Sequence, residues 1–153
     1  MRPVVAAARL VWPAVLGGVV VLSCTTPTGA CGCSPPETAI VGTWTATQLN
    51  ITPTGQAPID ALAAGGTLTI AISGSTATTG TLSLPASVTG GAPLNASMAG
   101  RASLSSTGTE VTFIQTADTF VRDLTWQRVG NTSLRVSNQV AGGASFTVIL
   151  TRQ

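Results

Sequence analysis

The sequence predicts an all-β domain of about eight antiparallel strands, arranged as an up-and-down barrel. Thr and Ser make up about a quarter of the chain, and β-branched Thr suits the pleated, half-exposed face of a strand. Apolar and polar residues alternate in a series of short segments, as they do through residues 67–73. Turn residues separate these segments about every ten to fifteen positions, as in an antiparallel meander. A two-sheet sandwich of the same strands is the alternative architecture.

Each predicted strand has one apolar face. The eight strands cover residues 40–52, 67–73, 77–84, 96–104, 109–115, 119–129, 132–140 and 144–152. Between the first two, residues 59–64 have the composition of one or two helical turns, which end at the Gly65-Gly66 pair. Eight antiparallel strands in sequence order can close into a barrel, and closure removes exposed strand edges.

The first 23 residues have the pattern of an export signal. Arg2 and Arg9 precede an apolar run over residues 10–22, which is too short for a permanent membrane-spanning helix. The run ends at Ser23-Cys24, and this ending resembles the lipobox of bacterial lipoproteins, in which the Cys is acylated. The resemblance implies an exported protein that Cys24 anchors by lipid to the bacterial cell envelope, at the outer membrane or on the periplasmic or cell-surface side. Plain secretion after cleavage nearby is the alternative.

A tether is expected over residues 24–38 and the barrel domain over residues 39–153. The tether is rich in Thr, Pro, Gly and Cys and shows no strand or helix period. Its Cys31 and Cys33 are one residue apart, a spacing that strains a disulfide, and two thiols alone make a poor zinc site. We expect an inert pair; a metal or redox motif, or pairing with another chain, is the alternative.

The first and last predicted strands carry a family resemblance. Gly42-Thr43-Trp44 opens the first strand and Arg152 ends the last. The pattern resembles the calycin superfamily, and within it the small bacterial lipocalin-like lipoproteins. The resemblance implies that Gly42, Trp44 and Arg152 form a structural barrel floor, where the guanidinium packs across the indole as a cation–π pair. The chain has no Tyr, a residue that fatty-acid-binding proteins and avidins use for their ligands, so the resemblance does not extend to those sites.

Composition argues against most chemistries. Only 8% of the residues are charged, there is no His, and the net charge is +2, so neither a basic stripe for nucleic acid nor an imidazole base is present. The carboxylates of the domain form no pair suited to acid–base work on one face: Asp60, Glu110, Asp118 and Asp123. We therefore expect a monomer that is not an enzyme and that uses no metal, cofactor or nucleic acid.

Arg122 is the one charge that suggests a ligand. It alternates with Phe120, Leu124 and Trp126 in the sixth predicted strand, which would turn it inward. A buried Arg is costly unless it is paired, so an inward Arg122 predicts a clamp for an anionic head group. The alternative is that Arg122 reaches solvent at the strand end or pairs with a neighbouring Asp.

Phe120, Trp126 and Met98 are candidate lining residues for the same ligand. Trp126 fits a core position better than a ligand contact, and Gly100, two residues after Met98, either leaves room or marks a bend. The sequence therefore predicts a lipid-anchored barrel that binds a small hydrophobic or amphipathic molecule. A filled barrel with a structural or protein-binding envelope role is the alternative, and a small-barrel proteinase inhibitor is a third. An interior cavity of about 300 Å³ or more would favour the first.

Overall fold

The structure, a computed structural model, describes residues 36–153. The expected signal peptide, Cys24, Cys31 and Cys33 lie outside the described residues. The described part consists of a 3₁₀ helix (Pro36–Ile40), the strands β1 (Gly42–Pro53), β2 (Ile59–Asp60), β3 (Thr67–Ile72), β4 (Ala77–Leu84), β5 (Leu94–Ser97), β6 (Gly100–Leu104), β7 (Glu110–Gln115), β8 (Trp126–Val129), β9 (Ser133–Ala141) and β10 (Ala144–Arg152), and the short helices α1 (Ala86–Thr89) and α2 (Phe120–Asp123). Within residues 36–153, no helix has the length and apolar character needed to cross a membrane.

Eight of the strands close into an antiparallel barrel. Their order around the barrel is β1, β3, β4, β6, β7, β8, β9 and β10, and β10 pairs back onto β1. The closing seam is long, because Trp44 lies opposite Arg152 at one end and Pro53 lies opposite Ala144 at the other. The two remaining strands are additions, with β2 paired to β1 and β5 paired to β4. The all-β class and the barrel are thus confirmed, and the sandwich alternative is wrong.

Every second side chain along the strands points inward and helps to fill the barrel interior. Along β7, Val111, Phe113 and Gln115 are buried while the residues between them are exposed, as the two-residue period of a strand requires. We call the end that holds Trp44 and Arg152 the floor, and the end that holds Pro53 and Ala144 the mouth. Large fully buried side chains occupy the interior: Trp44, Trp126, Phe113, Leu49, Leu68, Ile70, Leu82, Met98, Leu124, Leu134 and Leu150.

The sixth predicted strand, residues 119–129, is wrong over its first half. Residues Phe120–Asp123 form α2, and only Trp126–Val129 form strand β8. Val121 and Leu124 are both buried, and their three-residue spacing fits one face of a helix better than one face of a strand. Where the strand is missing, a side chain takes over its backbone hydrogen bonds. The Gln139 amide on β9 accepts a hydrogen bond of 2.9 Å from the N–H of Thr125 and donates one of 2.6 Å to the Thr125 carbonyl.

Two other predicted segments differ in detail. The fourth predicted strand, residues 96–104, is broken into β5 and β6, which both pair with β4. Met98 at the break donates its N–H to the carbonyl of Gly80 at 3.0 Å. The expected helical segment at residues 59–64 is instead a strand bridge and a turn, in which the Asp60 carboxylate accepts the N–H groups of Leu62 and Ala63 at 3.0 Å each.

Candidate functional site

An apolar cleft of about 410 Å³ opens at the barrel mouth. Its walls come from the mouth ends of β1, β4 and β10 and from the two short helices. The side chains that matter most are Ile51, Leu84, Val88, Leu94, Phe120 and Phe146. Concave apolar surfaces of this size at the mouth of a β-barrel are where such folds bind small molecules.

Phe120 forms one wall of the cleft because α2 turns it over the mouth. Its ring stacks on Phe146 of β10, with centroids 4.3 Å apart and planes at 16°. Val121, next to it, is buried, and the carbonyl of Val121 accepts a hydrogen bond of 3.2 Å from the indole N–H of Trp126. This bond ties α2 to β8 and fixes the position from which Phe120 projects.

Helix α1 supplies the opposite wall. Pro85 precedes its first turn with an extended backbone, and Gly90 ends it in the left-handed region at φ 69°, a conformation that glycine adopts at little cost. The Gly90 N–H donates to the carbonyl of Ala86. The single turn buries Val88, which lines the cleft together with Leu84 and Leu94.

Two buried polar side chains lie in the part of the chain that leads from the end of β7 into α2. Gln115 is the last inward residue of β7, and Thr119 directly precedes Phe120; each is only 6% exposed. Among the described residues, neither the amide of Gln115 nor the hydroxyl of Thr119 has a hydrogen-bond partner. Sequence reasoning missed both, although the alternation through Val111 and Phe113 already places a polar Gln115 on the inner face.

The inward orientation predicted for Arg122 is wrong. Arg122 lies on α2 and is exposed, and its guanidinium contacts the Asp118 carboxylate at 2.7 Å and that of Asp123 at 3.5 Å. The structure instead agrees with the alternative expectation, that Arg122 pairs with a neighbouring Asp at the solvent-exposed surface. The predicted anion clamp fails because residues 120–123 are helical, so the strand alternation that would have turned Arg122 inward does not apply.

The other predicted lining residues fall in different places. Trp126 is fully buried and meets Phe113 edge-on, with centroids 5.7 Å apart and planes at 83°, so it belongs to the core. Met98 is also fully buried. Gly100 marks a close approach of backbones, because a Cβ there would lie 2.2 Å from the carbonyl oxygen of Ile114. Of the three candidates, only Phe120 lines the mouth cleft.

The floor residues come together at the opposite end. Trp44 is fully buried, its indole N–H donates to the carbonyl of Ile40 at 2.8 Å, and the Arg152 Cζ lies 5.9 Å from its ring centroid. Gly42 has φ 139°, and a Cβ on it would lie 2.8 Å from Arg152 Nε. The guanidinium thus occupies space that any larger residue at position 42 would take.

A second depression of about 410 Å³ follows β4 and β5. Its lining includes Thr81, Asn95 and Ser97, which are exposed, and Asn95 already accepts a hydrogen bond of 2.8 Å from Ser83. This surface is more polar than the mouth cleft and less suited to an apolar molecule.

Charged groups in residues 36–153 serve local structure. Asp60 caps a turn, Glu110 accepts from the amide of Gln127 at 3.1 Å, and the remaining two barrel-domain carboxylates contact Arg122. Within that range, no three side chains of the His, Cys, Asp or Glu types come together as a metal site. The described residues therefore provide a concave apolar surface and neutral hydrogen-bonding groups.

Comparisons with known proteins give no further guide. No protein-family model, curated protein or solved structure matches the chain.

Proposed function

We propose that this barrel binds a small apolar or amphipathic molecule at its mouth and is not an enzyme. The observation that carries the proposal is the cleft of about 410 Å³ walled by the stacked rings of Phe120 and Phe146. An aromatic pair held by a helix on one side and a strand on the other provides a rigid apolar surface. The absence of His from the sequence and the scattered carboxylates support a binding role over a catalytic one.

We also propose kinship with the calycin barrels and export with a lipid anchor at Cys24. The floor contact between Arg152 and Trp44, at 5.9 Å, supports the kinship, since it joins the first and last strands as the resemblance implies. The basic and apolar pattern that ends at Ser23-Cys24 supports the anchor.

A filled barrel with a structural or protein-binding role is the second candidate. Packing of the interior favours it, because Trp44, Trp126 and Phe113 are all at most 2% exposed and leave the mouth as the place where a ligand fits. Small eight-stranded barrels are often filled by their own side chains.

Native mass spectrometry of the protein purified from its own membrane separates the two. We expect a co-purified small molecule with the unchanged protein and with Val140→Ala, since Val140 is 75% exposed. We expect Phe120→Ala to lose that molecule, because half of the aromatic pair is removed. Bare protein in every sample, together with no binding of added eight-carbon amphiphiles, would leave the filled barrel as the better account.

A further inference from the structure

Two half-buried arginines lie at the floor of the barrel. Arg128 follows the buried Trp126 by two positions on β8, and Arg152 follows the buried Leu150 by two positions on β10. Because side chains on a strand alternate between its faces, both arginines belong to the inner face. The backbone N–H of Arg152 donates to the carbonyl of Thr132 at 2.9 Å. The turn that follows β8 therefore meets the floor end of β10, and the two arginines meet there.

One residue of that turn, Asn131, binds both guanidinium groups. Arg128 Nη1 donates to the Asn131 side-chain oxygen at 2.8 Å and to the carbonyl of Gly130 at 3.0 Å. Arg152 Nη1 donates to the backbone carbonyl of Asn131 at 3.5 Å. Arg128 Nε also donates to the carbonyl of Gly108 at 2.7 Å. All of these acceptors are neutral, so the bonds fix the positions of two positive charges without compensating either charge.

No carboxylate of residues 36–153 contacts either floor arginine. The ion pairs in that range belong to Arg122, which contacts Asp118 at 2.7 Å and Asp123 at 3.5 Å. Like charges repel, and the repulsion is stronger where part of the water is excluded. An anion that contacts both guanidinium groups would replace this repulsion with attraction.

Part of each guanidinium group is free to bind such an anion. Among the described residues, no group accepts a hydrogen bond from Arg128 Nη2 or from Arg152 Nε and Nη2. A glycine lies beside each free edge. A Cβ added to Gly108 would lie 3.7 Å from Arg128 Nη2, and one added to Gly42 would lie 2.8 Å from Arg152 Nε. Because both residues are glycines, neither covers these N–H groups with a side chain.

We propose that Arg128 and Arg152 bind a phosphate group at the floor of the barrel. One guanidinium fork already occupies the two oxygens of a carboxylate, whereas a phosphate has three or more acceptor oxygens and can accept from two guanidinium groups at once. The Arg152 guanidinium is also held against the Trp44 ring, with Cζ 5.9 Å from the centroid, so little side-chain freedom is lost on binding. The site lies at the end opposite the mouth cleft, and the inference does not depend on a ligand in that cleft.

Two soluble phosphates and a carboxylate test the site in calorimetric titrations of the full protein at low salt. Inorganic phosphate represents a free anion. Glycerophosphoglycerol represents the headgroup of an anionic lipid, without acyl chains that could enter the mouth cleft. Acetate is the carboxylate control. We expect the better of the two phosphates to bind roughly tenfold more tightly than acetate, the effect of one or two additional charge-assisted hydrogen bonds. Which phosphate binds more tightly identifies the source of the group, and either result supports the site.

Matched variants locate the binding. Arg128→Gln and Arg152→Gln should each weaken phosphate binding roughly tenfold. Arg122→Gln removes the same charge beside the mouth cleft, on the helix that carries Phe120, and should leave the phosphate affinity unchanged. Arg128→Lys keeps the charge but loses the fork of N–H groups, so it should also weaken binding. The Arg128 variants leave the cation–π pair intact, so the test holds even if Arg152→Gln does not fold.

The outcomes separate a phosphate site from attraction to net charge. Equal binding of acetate and both phosphates would overturn the inference. Equal weakening by Arg122→Gln and Arg128→Gln would also overturn it, because binding would then follow net charge alone. A shift of the Nε–H resonances of Arg128 and Arg152 in NMR spectra on addition of phosphate, with that of Arg122 unchanged, would support it. Failure of both phosphates to bind would overturn the floor site and leave the proposed function of the mouth cleft untouched.

Discussion

The contact between Trp44 and Arg152 is the sharpest test of the barrel floor. These residues lie opposite each other where β10 closes onto β1, and the guanidinium Cζ is 5.9 Å from the indole centroid. The perturbation is a double-mutant cycle that uses Trp44→Ala, Arg152→Ala and the variant with both changes. If the side chains interact, the double variant should lose less stability than the two single variants predict together.

The expected losses differ in size and cause. Trp44 is fully buried and its N–H bonds to the Ile40 carbonyl at 2.8 Å, so Trp44→Ala should cost about 3–5 kcal/mol of unfolding free energy. Arg152 is partly exposed, and Arg152→Ala should cost about 1–2 kcal/mol through lost packing and lost cation–π attraction. A partly solvated cation–π pair predicts a coupling of about 0.5–1 kcal/mol.

Urea unfolding followed by far-ultraviolet circular dichroism measures these energies without depending on Trp fluorescence. The free energy of unfolding of a domain is about 5–15 kcal/mol, so Trp44→Ala alone can remove most of the stability. A second cycle with Trp44→Leu keeps an apolar side chain and removes the aromatic face, which preserves folding while it still deletes the pair. Constant denaturant slopes across the variants are needed for the comparison.

A coupling energy near zero in both cycles would show that the guanidinium gains nothing from the indole. Gly42→Ala supplies an independent check, because its Cβ would lie 2.8 Å from Arg152 Nε. It should be destabilising by about 1–3 kcal/mol, mostly from its strained φ, and less so when Arg152 is already Ala. Loss of the floor contact would also remove the main support for calycin kinship.

The remaining predictions concern the anchor, the half-strand and the surface. Cys24→Ala should abolish membrane association, and a variant that still sediments with membranes in high salt would contradict the lipid anchor. Gln139→Leu should cost about 1–3 kcal/mol in urea unfolding, because both backbone groups of Thr125 lose their partner; Gln127→Leu, which removes an exposed amide, is the control and should change little. Arg122→Leu should change stability by at most about 1 kcal/mol and leave the affinity for added eight-carbon amphiphiles unaltered, and a large loss of affinity would restore a role for the cation.

Local patterns in the sequence were enough to locate most of the barrel. The predicted segment 67–73 matches β3, and 144–152 matches β10 in full. Such strands are readable because each buries every second residue, so the two-residue period appears directly in the sequence. The apolar face of β10, which includes Phe146, Val148 and Leu150, is buried as the alternation requires.

The segment around Arg122 shows where local patterns mislead. Phe120, Arg122 and Leu124 alternate like a strand, yet Phe120, Val121 and Leu124 also have helical spacing. Both patterns are present in the same five residues, and packing chooses between them. The helix buries Val121 and pairs Arg122 with Asp118 at 2.7 Å, whereas a strand would have placed the Arg122 charge inside the barrel without a partner.

The sequence by itself determined the strand periodicity, the order of the strands along the chain and the absence of a His base. Only the tertiary structure decided that the strands close through β1 and β10 and that α2 carries Phe120 onto Phe146. It also decided that Gln115 and Thr119 are buried without a hydrogen-bond partner among residues 36–153. The physical reason is the separation along the chain between the residues that decide each feature. Periodicity depends on residues two to four positions apart, whereas the mouth cleft joins Ile51, Leu84, Phe120 and Phe146, whose proximity exists only once the barrel has closed.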